Sequence, residues 1–244
     1  MDAPSERRFN RSRAIVAEAL GTALLLATVV GSGIMGDRLS GGNVAIALLA
    51  NSLATGSVLV VLILVFGPVS GAHFNPAVTL ADATQRGLPW ARVPGYLAAQ
   101  VIGAFAGVAA AHVMFGEPLF AASTHARAGG AQFFSEFVAT FGLLSVIWGC
   151  VRQRRGAVPF AVGLYITAAY WFTASTSFAN PAVTLARSMT NTFAGIRPVD
   201  VAPFIAAQLL GAAAATLLFR WLVPSSTAAA DRVVVRHETD GAGL

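Results

Sequence analysis

Apolar residues along this chain gather into long runs that hold few charges. Runs of about 20 such residues predict membrane-spanning helices. Six runs meet this description, at about 14–35, 43–65, 93–114, 131–150, 158–176 and 199–222. The first run follows several arginines, as in a signal peptide, but it is too long for the apolar core of one and its equivalent recurs inside the chain. We therefore expect it to be retained as a span.

Two shorter, half-apolar stretches lie between spans, at about 66–86 and 177–196. Each contains Asn-Pro, and each is too short to cross a bilayer. They predict re-entrant half-helices. Irregular backbone of this kind is tolerated at membrane depth only where it is buried in protein or lines a water-filled cavity.

An internal repeat relates the two halves of the sequence. The heptapeptide Asn-Pro-Ala-Val-Thr-Leu-Ala occurs at 75–81 and again at 180–186, and the segment 96–104 matches 204–212. Glu18 with Thr22 likewise matches Glu136 with Thr140. Each repeat holds three spans, an odd number, so the second repeat enters the membrane from the opposite face.

These patterns predict an all-α membrane protein with six transmembrane helices, two re-entrant half-helices and two inverted three-helix repeats. We expect a single domain over residues 1–244, with one repeat at about 13–115 and the other at about 130–223. We expect the N-terminal residues 1–12 and the tail 224–244 to be disordered.

Composition and charge agree with a membrane protein. The chain is 56% hydrophobic and 11% charged, and its mean hydropathy is +0.68. The net charge of +5 comes from 16 arginines and no lysine. These arginines lie in short stretches between spans and form no basic face with interleaved aromatics, so nucleic acid is not an expected partner. The single Cys150 cannot form an internal disulfide, and no Cys/His cluster predicts a metal or cofactor.

Arginine placement predicts orientation, because cytoplasmic loops carry an excess of positive charge. With the N-terminus inside, four arginines fall on the outer side of the membrane: Arg38, Arg127, Arg187 and Arg197. Twelve fall on the cytoplasmic side: Arg7, Arg8, Arg11, Arg13, Arg86, Arg92, Arg152, Arg154, Arg155, Arg220, Arg232 and Arg236. We therefore expect a multi-pass protein of the cell inner (plasma) membrane with both termini in the cytoplasm.

The paired Asn-Pro-Ala motifs predict the chemistry of a pore. Asn75 and Asn180 are preferred helix N-caps, and the prolines after them fit the first helical position. Capping uses the side-chain oxygen, which leaves the NH₂ group to donate into a pore. Two positive helix ends at one point favour the oxygen of a neutral solute and repel cations. A water in single file there must point its oxygen at both amides, so its hydrogens face opposite exits, which opposes proton hopping.

Other residues of the two stretches add to this prediction. The segments Gly71–Phe74 and Ser177–Ala179 are expected to be extended and to offer carbonyl oxygens to a permeating solute. The mechanism is passive diffusion, and no catalytic constellation predicts an enzyme. The expected pore residues are Asn75, Pro76, Ala77, Asn180, Pro181 and Ala182, with Gly71, Ala72, His73, Phe74, Phe178 and Ala179 in the loops.

The sequence resembles the aquaporin and aquaglyceroporin (major intrinsic protein) family over about 13–222. The resemblance rests on the two Asn-Pro-Ala motifs, on Ser-Gly-Ala-His-Phe-Asn-Pro-Ala-Val-Thr at 70–79, and on Glu18 and Glu136. It implies a homotetramer in the lipid bilayer with one pore per subunit, and passive flux of water or small neutral solutes.

The selectivity filter departs from that family pattern. Val183 stands where most members have an arginine, and the nearest arginine is Arg187, one helical turn further on. Thr55 takes the place of a bulky aromatic, and the filter residue of span five is either Tyr170 or Ala168, near Ser177. We expect a wide filter that passes glycerol, urea or neutral metalloid hydroxides such as arsenous acid. In this respect the sequence resembles bacterial channels associated with arsenic handling.

Several residues have two alternative interpretations. Arg187 either restores a positive filter, or snorkels to water or pairs with a neighbouring group. Glu18 and Glu136 either hold the re-entrant loops or couple flux to protons or ions, as in a secondary transporter, although no buried basic partner is evident. His73 either gates the pore with pH or packs against its loop. A strict water channel and a scaffold with a closed pore are further alternatives.

Overall fold

The computed structural model describes residues 10–223, and the expected disorder of 1–9 and 224–244 lies outside them. Residues 11 and 12, which we expected to be disordered, already belong to the first helix. The described chain forms eight α-helices: α1 (Arg11–Leu39), α2 (Val44–Ser70), α3 (Pro76–Thr84), α4 (Val93–Phe115), α5 (Gly130–Gln153), α6 (Val158–Phe172), α7 (Pro181–Arg187) and α8 (Pro198–Leu222). Single turns of 3₁₀ helix precede α4 and α6.

Six of these helices are the predicted spans, although three of them end away from their predicted positions. α1 continues to Leu39 instead of ending near 35. Five are long and apolar enough to cross a membrane by length and composition, and α6, with 15 residues, is shorter. α6 ends at Phe172 rather than near 176, because Thr173 adopts extended backbone as the chain turns toward the second re-entrant loop. α2 continues to Ser70 instead of ending near 65.

The two halves repeat one packing scheme in opposite orientations. α1 packs against α2 and α4 in the first half, and α5 packs against α6 and α8 in the second. α2 crosses onto α6 between the halves, and each half-helix, α3 or α7, contacts both α4 and α8. The short helices therefore lie in the middle of the molecule, enclosed by the long ones.

Glycines set the distance between paired helices. A Cβ atom on Gly103 of α4 would lie 2.2 Å from the carbonyl oxygen of Ala19 in α1, and one on Gly211 of α8 would lie 2.4 Å from that of Phe137 in α5. Between the halves, a Cβ on Gly56 would lie 2.7 Å from the carbonyl oxygen of Gly163. Small residues that allow backbones to approach in this way are typical of helix contacts in bilayers.

The bundle of long helices has two ends. We call the end at which α1 begins the first face, and the end at which α1 finishes the second face. Because the long helices alternate in direction, α3 runs from the centre to the first face and α7 runs from the centre to the second face. The two half-helices thus meet at their N-termini.

Candidate functional site

Both half-helices begin at the centre of the molecule with the same cap. The side-chain oxygen of Asn75 accepts a hydrogen bond from the Ala77 N–H at 2.9 Å. That of Asn180 accepts from the N–H groups of Ala182 at 3.0 Å and Val183 at 3.3 Å. Pro76 and Pro181 occupy the first helical positions, where a missing N–H costs nothing. The predicted N-caps are therefore present in the structure.

The two caps are bonded to each other's loops. The Asn75 side-chain NH₂ donates to the Ala179 carbonyl at 2.8 Å, and the Asn180 NH₂ donates to the Phe74 carbonyl at 2.8 Å. The prediction that these amide groups are free was thus partly wrong. Each NH₂ has two hydrogens, so the reciprocal pair leaves one hydrogen on each asparagine for a solute.

The loops that lead into the half-helices are not extended throughout, which corrects our expectation. Ala72 and Phe74 have φ of 50° in the first loop, and Ser177 and Ala179 have φ of 49° and 48° in the second. These values lie in the left-handed region, where a non-glycine residue is strained by about 1–2 kcal/mol. Such backbone persists only when its surroundings hold it in place.

Glu18 supplies that support to the first loop. It is fully buried in α1 and accepts hydrogen bonds from the His73 N–H at 2.9 Å and the Phe74 N–H at 2.7 Å. The Ser70 hydroxyl donates to it at 2.6 Å and the Gln100 amide at 2.8 Å. Four donors surround this one carboxylate, so both of its oxygens are hydrogen-bonded to the loop or to its neighbours.

Glu136 repeats this arrangement in the second half. It is fully buried in α5 and accepts from the Phe178 N–H at 2.8 Å, the Ala179 N–H at 2.9 Å and the Gln208 amide at 2.6 Å. The same Gln208 nitrogen also donates to Thr184 of α7 at 2.8 Å. The sequence marked Gln100 and Gln208 as repeat positions but not as site residues. A polar residue at matching places in two apolar spans was the signal that could have identified them.

One cavity of about 100 Å³ runs past both half-helix N-termini. A water needs about 10–15 Å³ of such space, so the cavity has room for a short file of waters. Its walls include both asparagines, residues 71–74 and 177–179, and the apolar Leu25, Val29, Leu59, Ile63, Val78, Leu143, Ile147, Val162 and Ile166. At its centre, the two asparagine amides therefore lie between largely apolar walls.

At the end of the cavity nearer the first face, His73 lies beside an acid. Its Nε2 is 3.6 Å from an Asp82 carboxyl oxygen, and its Nδ1 is 3.2 Å from the Thr79 hydroxyl. The imidazole also contacts the Tyr96 ring, with 5.5 Å between centroids. The His73 side chain is thus held by α3 and α4, and the residue lines the cavity. Asp82 is the repeat counterpart of Arg187, and the sequence did not mark it as a site residue.

At the other end, the hydroxyl groups of Thr55 and Tyr170 are 3.2 Å apart. Both residues line the cavity with Val183, whereas Ala168 is exposed on the outside of α6. The alternative that placed Ala168 in the filter is therefore wrong. Residues 162, 166 and 170 recur every four positions and share the inner face of the helix, and Ala168 points away from it.

Arg187 lies buried against the cavity at this end. Its side chain is 2% exposed, its Nε donates to the Ala194 carbonyl, and its guanidinium carbon lies 3.4 Å from the centroid of the Phe178 ring. The reading in which it snorkels to water is wrong, because the loop after α7 folds back over it. Its side chain instead bonds a neighbouring group and lines the cavity.

A second arginine, which the sequence analysis used only to predict orientation, contacts the same ring. The Arg127 guanidinium carbon is 4.9 Å from the Phe178 centroid. Arg127 donates to the carbonyl oxygens of Gly195 at 2.9 Å and Ser175 at 3.0 Å. The sequence contained little signal for this role, since the loop 116–129 is not part of the internal repeat. The position of Arg127 depends on how that loop folds in three dimensions.

Polar groups around these arginines complete this end of the site. Burial, and then the positive charges of Arg127 and Arg187, lower the pKa of the loop residue His125. The Ser177 side chain lines the cavity, and its hydroxyl has no hydrogen-bond partner in the described chain. Among residues 10–223, no group of three or more His, Cys, Asp or Glu side chains could hold a metal ion.

Comparisons with known proteins find clear relatives. The family described as major intrinsic protein matches residues 5–177 and again 156–242. The aquaglyceroporin AqpS of Rhizobium meliloti (strain 1021) is 58% identical over 217 residues, which are 89% of this chain and 93% of that protein. The aquaporin NIP1-1 of Oryza sativa subsp. japonica is 35% identical over 156 residues, 63% of this chain and 54% of that protein.

A solved structure is similar in fold. The X-ray structure of the aquaglyceroporin from Plasmodium falciparum superposes with a TM-score of 0.69 at 22% sequence identity. The superposition covers 88% of this chain and 98% of that one. The arrangement of six long helices around two half-helices is therefore shared with a protein of distant sequence.

Proposed function

This chain belongs to the major intrinsic protein family, and on that basis we propose that it is a passive membrane channel for small uncharged solutes. The solutes we propose are glycerol, urea, neutral metalloid hydroxides such as arsenous acid, and water. The observation that carries the proposal is that Asn75 and Asn180 line one cavity at the point where two half-helices meet.

The centre of the cavity selects for neutral oxygen-bearing solutes. Each asparagine has one amide hydrogen beyond its bond to the opposite loop. Both helix N-termini add a partial positive charge of about half an elementary unit. A solute oxygen is bound there, a cation is repelled, and a water held by both amides cannot pass protons along the file.

The end nearer the second face sets the size limit. Val183 and Thr55 leave more space than the arginine and aromatic side chain that the family pattern has at these positions, and this supports solutes larger than water. Tyr170 and Arg187 make the same region more polar than the sequence predicted. Hydroxyl and guanidinium donors can bind the hydroxyl oxygens of glycerol, the carbonyl of urea or the oxygens of arsenous acid.

The molecular setting is also part of the proposal. Of the arginines in residues 10–223, only Arg38, Arg127, Arg187 and Arg197 belong to the second face, so that face is proposed to be external and both termini cytoplasmic. The protein is proposed to lie in the inner (plasma) membrane as a homotetramer with one pore per subunit. Large apolar side chains exposed on the long helices, such as Leu164 and Trp221, suit lipid or a neighbouring subunit.

A swelling assay tests the function. In stopped-flow experiments, proteoliposomes should take up glycerol, urea and arsenite faster than empty liposomes. Val183→Arg should reduce glycerol and urea flux by about tenfold or more and reduce water flux less, because an arginine narrows the filter. Wild-type protein that passes water and excludes both glycerol and urea would contradict the wide filter.

A coupled transporter that uses Glu18 or Glu136 is disfavoured by their surroundings. Each carboxylate already accepts three or four hydrogen bonds from its loop and from a glutamine. Neither is arranged to exchange a proton without releasing that loop. Flux should therefore rise linearly with solute concentration and stay unchanged when a proton gradient is imposed, and saturation with proton dependence would support the transporter.

A further inference from the structure

We infer that the end of the cavity nearer the second face is a binding site for a small planar oxyanion, such as a carboxylate, which competes there with the neutral solute. This inference rests on the proposed function, because it names a second class of ligand for the same passage. It depends on Arg187, on the Thr55–Tyr170 hydroxyl pair and on Ser177.

Arg187 supplies the group that a carboxylate binds best. A guanidinium is planar and permanently charged, and it offers a fork of N–H donors that matches two oxygens of a carboxylate. Here Phe178 lies against one side of it and the Ala194 carbonyl takes its Nε–H. A further side-chain hydrogen bond joins Arg187 to Tyr170. The other N–H groups belong to the terminal nitrogens of this residue, which lines the cavity.

No acid is paired directly with Arg187, although the Glu136 carboxylate lies close enough to interact with both Arg187 and Arg127. Arg127 lies against the same phenyl ring and adds a second buried positive charge. Among residues 10–223, neither guanidinium forms an ion pair with a carboxylate. Asp200 pairs with Arg197 and accepts the backbone N–H of Arg127, while Glu136 is occupied by its loop. Buried charges without a partner are costly, so an anion that reaches Arg187 is stabilised.

Ser177 is an independent sign of a ligand at this place. The residue is 3% exposed and lines the cavity, and its buried hydroxyl has no partner in the described chain. A buried hydroxyl normally makes at least one hydrogen bond. The Thr55 and Tyr170 hydroxyls share one bond between them and keep further capacity. Together these groups can bind a second oxygen while Arg187 binds the first.

The anion should bind without passing through. The other end of the cavity carries the Asp82 carboxyl group, the repeat counterpart of Arg187. That end therefore presents carboxyl oxygens to an anion, where the opposite end presents a guanidinium. An oxyanion therefore occupies the end nearer the second face and blocks the route of urea or glycerol.

The test measures urea uptake into proteoliposomes with sodium formate on both sides at pH 7.5. Sodium gluconate, which is too bulky for the constriction, replaces formate in the reference series at equal ionic strength. We expect formate to inhibit uptake in a saturable manner. Arg187→Gln should raise the half-inhibitory concentration by about tenfold or more, as expected for loss of one charge-assisted contact. Ser177→Ala should raise it severalfold, and Arg187→Lys should fall between wild type and Arg187→Gln.

Arg38→Gln is the matched control, because Arg38 belongs to the same face but pairs with Glu117 at the surface; its inhibition should equal that of wild type. Uptake that formate and gluconate affect equally would overturn the inference while leaving the proposed channel intact. Equal inhibition of wild type and Ser177→Ala would also overturn it, and that variant stays informative if changes at Arg187 prevent folding. No urea flux above empty liposomes would overturn the proposed function and the inference together.

Discussion

At the residue scale, the side-chain oxygen and nitrogen of Asn180 make different hydrogen bonds. Its oxygen caps α7 by accepting from Ala182 and Val183, and its nitrogen donates to Phe74 of the other loop. Only the nitrogen distinguishes asparagine from aspartate here. The two tasks can therefore be separated by one substitution.

We predict that Asn180→Asp keeps the helix cap but admits cations. Aspartate accepts the same backbone hydrogen bonds, whereas its negative charge replaces a donor at the centre of the pore. Proton and sodium leak into proteoliposomes should rise severalfold over wild type. Asn43→Asp is the control, because Asn43 caps α2 in the same way at an exposed position. Equal leak in both variants would contradict a selective role for the central amide.

The buried carboxylates give a second prediction at this scale. Glu136→Gln replaces one carboxylate oxygen, which accepts hydrogen bonds from buried N–H groups, with an NH₂ group that cannot accept them. At least one buried N–H therefore loses its partner. We expect the free energy of unfolding in detergent to fall by about 3 kcal/mol. Glu117→Gln, which breaks a surface pair with Arg38, should cost less than about 1 kcal/mol. Thermal melting compares the two, and similar losses would show that Glu136 does not hold the loop.

At the element scale, glycines allow the backbones of paired helices to approach closely. Gly103 faces backbone: its added Cβ would meet the Ala19 carbonyl oxygen at 2.2 Å and the carbonyl carbon at 3.0 Å. Neither atom can move without shifting α1. Gly149 of α5 would meet only a Phe219 ring carbon, at 3.5 Å, which is ordinary contact.

We predict that Gly103→Ala destabilises the protein by about 1–3 kcal/mol through overpacking of α1 against α4. Gly149→Ala should be neutral or stabilising by up to about 1 kcal/mol, since alanine favours helix more than glycine does. The melting temperature of each variant in detergent checks this. A Gly103→Ala protein as stable as wild type would mean that α1 and α4 are not in close contact.

The half-helices show which element properties are encoded locally. Asn-Pro specified where α3 and α7 begin, because a cap and a fixed φ act within a few residues. The predicted ends of α2 and α6 were less accurate. There the chain leaves the helix for a loop whose left-handed residues are held by Glu18 and Glu136 from other helices.

At the scale of the whole molecule, the inverted repeat makes the two ends of the cavity different in charge. Asp82 and Arg187 occupy equivalent positions after the two Asn-Pro-Ala motifs, and inversion places them at opposite ends. A structurally symmetric scaffold thus carries an acid toward the first face and an arginine toward the second.

The proposed orientation can be tested by cysteine labelling. In a Cys150→Ser background, Ala128→Cys between α4 and α5 should react with a membrane-impermeant maleimide in intact cells. Arg154→Cys, between α5 and α6, should react only after the membrane is permeabilised, because arginine-rich loops stay inside. Both positions are exposed. The reverse labelling pattern would place the first face outside.

The sequence by itself determined the number of long helices, the inverted repeat and the two capped half-helices. These properties follow from apolar run length, from self-similarity and from short-range capping, all of which are readable along the chain. It also indicated Glu18, Glu136 and the paired asparagines, because polar residues recurred at matching places in apolar spans.

Only the tertiary structure decided which side chains and contacts form the two ends and the loops of the cavity. It chose Tyr170 over Ala168, turned the loops left-handed, bonded each asparagine to the opposite loop, and placed Arg127 and Arg187 on one phenylalanine. These features depend on which face of α6 turns inward and on where the segments 116–129 and 188–197 fold. Contacts of that kind join residues far apart in sequence, and no local pattern records them.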